Sequence, residues 1–137
     1  MDSLLVDAGF LIALGRHSDP LHEKARSFLR GYSGKLVTVA PVIVETCFFF
    51  DSPAKLELLE WVHRGGLAVA EVPVPAYPDL AVTIKKYADQ DIDFADAALV
   101  WLAGESGLRR ILTVDERDFG VYRLKGNRRF EIVPWTR

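Results

Sequence analysis

Apolar residues along this chain alternate between short unbroken runs and longer stretches at helical spacing. "SLLVD" (3–7) is a compact apolar run ending in an acid, the pattern of a buried parallel strand. Asp19-Pro20 supplies an N-cap with proline at the first helical position, which predicts a helix through about Leu29 closed by Gly31. "KLVTV" (35–39) reads as a second strand, followed by a helix from near Pro41 that carries Glu45 within its first turn or so. Ser52-Pro53 opens "AKLELLEWVHR", with Leu56, Leu59 and Trp61 near helical spacing and Gly65-Gly66 as the stop. "LAVAEVPV" (67–74) is a third strand whose prolines point to a frayed or edge position. One helix is predicted from about Tyr77 to Tyr87 and another from about Phe94 to Glu105, ended at Gly107. "RILTVD" (110–115) and "FEIVP" (130–134) complete the set as strands four and five. Strands alternating with helices predict an α/β fold, a three-layer α/β/α sandwich around a mostly parallel, about five-stranded sheet.

No repeat, low-complexity tract or linker divides the chain, so a single domain spanning 1–137 is expected. That length buries roughly two-thirds of the surface an unfolded chain exposes. Half the residues are apolar and 26% are charged, which excludes a disordered chain. Cys47 is the only cysteine, so neither an internal disulfide nor a thiolate zinc cluster can form. Its neighbours Phe48, Phe49 and Phe50 suggest a buried, inert thiol. No basic region precedes the first apolar run, and Asp7 interrupts it, which argues against a signal peptide. The longest apolar region, "LVTVAPVIVETCFFF", contains Pro41 and Glu45 and falls short of the roughly 20 residues of a membrane span. The expectation is a cytoplasmic protein.

Net charge is -2, but its distribution is uneven. Residues 109 to 137 carry Arg109, Arg110, Arg117, Arg123, Lys125, Arg128, Arg129 and Arg137 against Asp115, Glu116, Asp118 and Glu131. Two readings stand: a solvated surface, or a basic strip that holds a phosphate backbone beside an acidic site, with Arg117, Arg123 and Lys125 as candidate substrate contacts.

The acids supply the candidate chemistry. In a parallel α/β sheet the strand ends and the starts of the following helices share one edge, where such folds bind ligands. Asp7 ends strand one, Glu45 lies near the start of the helix after strand two, Asp96 lies in the first turn of its helix, and Asp115 ends strand four. Asp93 and Asp96 stand in the N-cap and N3 relationship of a capping box. Asp93 is the natural cap, which frees Asp96 to point into the cleft, while Asp91 reads as a solvated loop acid. Ionised acids gathered within a few ångströms raise one another's pKa unless a cation is present. Oxygen ligands without paired histidine or cysteine suit magnesium or manganese, and such ions serve phosphodiester hydrolysis. His17, His22 and His63 sit in no metal-ligand spacing, and no glycine-rich phosphate loop is present.

"LLVDAGFLIAL", "VIVET", "DFADAALVWLA" and "ILTVDERDF" resemble, in order and spacing, the four blocks of PIN-domain ribonucleases, especially VapC-type toxins of toxin-antitoxin pairs. The resemblance implies that Asp7, Glu45, Asp96 and Asp115 are the metal-binding and catalytic quartet. It makes Asp118 an accessory acid and Thr113 a hydroxyl that orients a carboxylate or contacts substrate. It further implies a magnesium- or manganese-dependent endoribonuclease, usually a homodimer, often silenced by a small antitoxin that blocks the cleft. Its products would carry 5'-phosphate and 3'-hydroxyl ends.

One position departs from the pattern: such proteins usually carry Ser, Thr or Asn two residues after the first acid, where this chain has Gly9. Loss of one supporting group weakens metal affinity by about 10- to 100-fold. Gly9 also excludes a haloacid-dehalogenase-like phosphatase, which needs an aspartate there. The alternative reading is therefore a catalytically weak or silent PIN-like module that binds RNA or a protein partner. Trp61, Trp101 and Trp135 read as core or interface packing, with a base-stacking platform as the alternative, and the three phenylalanines or the neighbouring helix as part of a dimer interface.

Overall fold

The computed structural model describes residues 2–137. The first apolar run forms β1 (Ser3–Val6), with Leu4, Leu5 and Val6 fully buried. Successive strand residues face opposite sides of a sheet, so burial of all three means that both faces of β1 are covered. The chain then turns at Asp7 into α1 (Ala8–Gly15), a helix that the sequence pattern does not announce. Its residues are apolar all round, with Phe10, Leu11 and Ala13 buried, so no helical period of polar positions marks it.

α2 (His22–Gly31) begins later than the Asp19-Pro20 signal predicts. Asp19 organises the turn ahead of the helix instead, its Oδ1 accepting from the Leu21 N–H at 2.8 Å. Next come β2 (Lys35–Val39) and α3 (Ala40–Cys47), the latter with proline in its first turn. Asp51 caps α4 (Ser52–His63) by accepting from the Ala54 N–H at 3.0 Å. On α4, Leu58 and half-buried Trp61 pack inward while Leu56 and Leu59 face solvent, which corrects the apolar face expected from their spacing. β3 (Ala68–Ala70), α5 (Tyr77–Lys86), α6 (Phe94–Ser106) and β4 (Arg110–Leu112) follow. Gly107 ends α6 in the left-handed region at φ 77°, as a C-terminal glycine should. The chain closes through α7 (Glu116–Val121), β5 (Arg123–Leu124), β6 (Arg128–Arg129) and β7 (Glu131–Ile132).

The main sheet is ordered β3-β2-β1-β4-β7 with every pairing parallel, a PIN-like α/β architecture. β3 lies at one edge, where its following prolines remove no ladder bond. β5 and β6 form a separate antiparallel pair, too short to show as an alternating pattern. The chain lays β2 and β3 on one side of β1 and β4 and β7 on the other. The switch point therefore lies between β1 and β4, where Val6 pairs with Leu112 and the Asp7 N–H donates to the Leu112 carbonyl at 3.0 Å.

Around this sheet, Trp135 is buried edge-on against Phe10, while Trp61 and Trp101 are half-buried. Cys47 is half-buried rather than enclosed, because α3 ends there. The phenylalanine run splits: Phe50 is 8% exposed, whereas Phe48 is 81% exposed. Among the described residues no helix is long and apolar enough to cross a membrane.

Candidate active site

Local capping chemistry sets the first acids. Asp7 caps α1, its Oδ1 accepting from the Ala8 N–H at 2.8 Å, and its Oδ2 accepts from the Thr113 hydroxyl at 2.9 Å. The same Thr113 oxygen accepts from the Asp115 N–H at 3.0 Å. One buried hydroxyl thus fixes the end of β1 to the loop after β4. Trp135 holds that loop from behind, its Nε1 donating to the Thr113 carbonyl at 3.1 Å. Asp93 caps α6 by accepting from the Asp96 N–H at 2.8 Å. The Asp96 carboxylate does not close a reciprocal capping box; it turns instead to accept from the Tyr122 hydroxyl at 2.9 Å. Asp115 in turn caps α7, accepting from the Asp118 N–H at 3.1 Å. Asp91 is exposed in a loop, at φ 51°.

Asp96, Asp115 and Asp118 each offer a carboxylate oxygen, and these oxygens lie within 4.8 Å of one another. This close trio differs from the expected quartet. Asp118 stands inside it, while Asp7 and Glu45 stand outside, Asp7 with each of its oxygens engaged. Glu45, half-buried on α3, belongs to the same field through charge. Burial, then the charges of Asp7 and Asp93, push it up to about 7. Burial takes Asp7 up to about 6 against the opposing bonds from Thr113 and Ala8. Asp96 rises to about 8, chiefly through burial and then through Asp7 and Asp93, with the Tyr122 bond acting the other way. Burial also raises Asp115, and Asp118 beside it adds to this. The Tyr122 hydroxyl is pushed well above its ordinary value by burial and by Asp96.

Carboxyls that hold protons near neutral pH because of burial and mutual repulsion are short of positive charge. An all-oxygen donor set of this kind fits a hard divalent cation. Nothing in the sequence singles out Tyr122: its position in "FGVYRL" carries no local mark, and its partner lies 26 residues away.

The candidate cations separate. Arg117, on α7, is the one whose charge reaches Asp115 and lowers its pKa. The Arg123 guanidinium donates to the carbonyls of Gly120, Val121 and Tyr122 and closes the end of α7. Lys125 lines a cavity with Gly104 and Gly107, at the far end of α6 from Asp96.

Gly9 lies under Val114. A Cβ at position 9 would collide with one Val114 methyl and lie 3.2 Å from the other. Val114 is β-branched, so it cannot swing aside freely. Gly9→Ser is expected to lower stability by about 1 kcal/mol, and adding Val114→Ala should restore it, as read by thermal denaturation. An unchanged melting temperature in the single variant would contradict this packing.

No family model matches the chain. Ribonuclease VapC26 of Mycobacterium tuberculosis is 29% identical to it over 135 residues, covering 96% of this chain and 100% of that protein. The crystal structure of Mycobacterium tuberculosis VapC20, a sarcin-ricin loop cleaving toxin, matches with a TM-score of 0.72 at 18% identity, over 79% of this chain and 86% of that one. FitAcB from Neisseria gonorrhoeae matches at a TM-score of 0.50 and 19% identity, over 82% of this chain and 88% of that one. The solved structures carry the fold. The sequence match bears out the resemblance to VapC-type ribonucleases over nearly the whole chain.

Proposed function

We infer that this chain is a VapC-type PIN-domain protein, a metal-dependent endoribonuclease that hydrolyses RNA phosphodiester bonds as the toxin of a toxin-antitoxin pair. The observation that carries the reading is the Asp96, Asp115 and Asp118 trio, set at the switch point of a chain 29% identical to a ribonuclease.

Asp96, Asp115 and Asp118 would hold a magnesium or manganese ion, with Asp7 and Glu45 supplying further negative charge at its side. Such an ion, when bound, activates water and stabilises charge on the phosphorane-like transition state. The chain's own residues do the positioning. Thr113 locks Asp7 and the Asp115 backbone together, so strands β1 and β4 present their acids in a fixed relation. Tyr122 holds the Asp96 carboxylate in one rotamer, and Asp93 keeps the start of α6 in place beneath it. Arg117 brings positive charge beside Asp115, where it can pair with an incoming phosphate.

The test is cleavage of total RNA by purified protein with magnesium, manganese or EDTA. Discrete fragments with 5'-phosphate ends are expected only with metal. RNA left intact under every condition would favour the silent, binding-only reading, to which Gly9 already lends some weight.

Partners follow from the same reading. A small antitoxin would block the acidic cleft with a cationic segment. Phe48, Phe49 and Val44 form an exposed apolar group on and after α3 that supports a homodimer. Light scattering at micromolar concentration should give a dimer for the wild type and a monomer for Phe48→Ser; a monomeric wild type would remove the idea.

A further inference from the structure

Two cavities adjoin along the C-terminal half of α6, of about 300 and about 370 Å³. They share Gly104, Leu124 and Lys125, so they form one continuous groove bounded by α6, the β5–β6 hairpin and, along the second cavity, α5. Arg109, Lys125 and Arg128 line the first cavity. Lys86 and Arg123 line the second, opposed there by Asp79 and Glu105. We propose that this groove is a second contact site for the RNA backbone, separate from the acidic cleft. The proposal rests on the ribonuclease reading for the identity of the polyanion.

Charge is the first argument. Arg109, Lys125 and Arg128 take part in no ion pair among the described residues, although the chain as a whole is acidic. Across the whole groove Arg109, Lys125, Arg128, Lys86 and Arg123 face only Asp79 and Glu105, and the excess positive charge repels itself unless an anion offsets it. The negative end of α6 attracts cations within its last turn, but that effect does not call for a groove. The second argument is Gly104. It lies inside α6, where glycine costs about 1 kcal/mol relative to alanine. Nothing stands within 4 Å of where its Cβ would be, so no neighbour inside the chain requires glycine there. The missing side chain leaves the groove floor open over backbone, while half-buried Trp101 borders it with an aromatic ring on which a base can stack.

Distance separates this groove from the cut. Gly104 follows Asp96 by eight residues on one helix, which is about 12 Å. A stacked strand advances about 3.4 Å per nucleotide, so an RNA that meets both regions extends roughly four nucleotides beyond the scissile linkage. Short substrates should not sense the groove, and longer ones should.

The experiment uses the full chain carrying Asp96→Asn, titrated with fluorescein-labelled uridine homopolymers, one short and one long, over a series of salt concentrations. Against that background, Arg109→Ala with Arg128→Ala should weaken binding of the long polymer about tenfold and reduce its salt slope by about 1.4, with the short polymer unaffected. Gly104→Glu, which places a carboxylate on the groove floor, should weaken the long polymer similarly. Circular dichroism confirms that each variant is folded. Unchanged affinity and slope for the long polymer in both variants would overturn the proposal. So would polyglutamate binding that depends on Arg109 and Arg128 while RNA binding does not, since the groove would then serve an acidic protein. Metal-dependent cleavage of total RNA by the chain with Asp96 intact reports separately on the nuclease reading. If that cleavage fails while the binding differences hold, the catalytic reading fails and the groove stands.

Discussion

Asp96→Asn should make the metal-free protein more stable while removing its ribonuclease activity. The Asp96 carboxyl is half-buried at the start of α6 and surrounded by Asp7, Asp93 and Glu45. Burial and those charges lift it to about 8, so the fold favours its neutral form over its ion. Asparagine is neutral at every pH, nearly the same shape, and keeps an oxygen to accept from the Tyr122 hydroxyl. A gain of about 3 °C in melting temperature is expected in EDTA near pH 8, where the native carboxyl is partly ionised. The same change takes the negative charge from one of three clustered donors and commits its one remaining oxygen to Tyr122, and RNA cleavage with manganese should fall at least about 100-fold. Thermal denaturation and cleavage assays on one preparation check both halves. Wild-type cleavage would sink the site assignment, and a lower melting temperature would show that Asp96 is not strained. Asp7→Asn should behave differently, because Asp7 accepts from both the Ala8 N–H and the Thr113 hydroxyl and an amide nitrogen cannot replace either acceptor.

The second large effect is the joint dependence on pH and metal. Asp7, Glu45 and Asp96 ordinarily titrate at 3.8, 4.5 and 3.8 and stand at about 6, 7 and 8 in the folded chain. Between those limits the folded state binds more protons than the unfolded state, so the free energy of unfolding falls as pH rises. The contribution is fully present below about pH 4 and lost as pH climbs through 6 to 8. A divalent cation competes for the same oxygens and supplies the positive charge that the protons otherwise provide. Manganese should therefore raise the melting temperature strongly near pH 8 and little near pH 5, by scanning fluorimetry with EDTA as the reference. An equal shift at both pH values, or none at either, would mean that the ion does not bind through these acids.

Much of the frame was legible along the chain because the signals for it are local. Apolar runs, prolines and capping residues located the five parallel strands and most helices, and the prolines after Ala70 marked β3 as an edge. Asp93 could be named as the cap of α6 because its bond to the Asp96 N–H spans three residues. With the cap supplied by Asp93, the Asp96 carboxylate is free to meet Tyr122, Asp115 and Asp118. α1 stayed hidden because a helix apolar all round shows no period, and α7 because six residues hold too little pattern.

The site was legible in its membership more than in its arrangement. Asp7 and Asp115 were identifiable as the acids after two central strands, but the hydroxyl bridge that ties Asp7 to Thr113 spans 106 residues. Only the adjacency of β1 and β4 makes it possible. The same holds for the close approach of Asp118 to Asp96 and for the commitment of Arg123 to the end of α7. It holds also for the placing of Lys125 at the opposite end of α6 from the acids. By itself, then, the sequence determined which residue types stand at strand ends and helix starts, since capping and periodicity act over a few residues. The tertiary structure alone decided which of those groups lie within bonding distance, because strand order brings distant segments together and leaves no trace in local spacing.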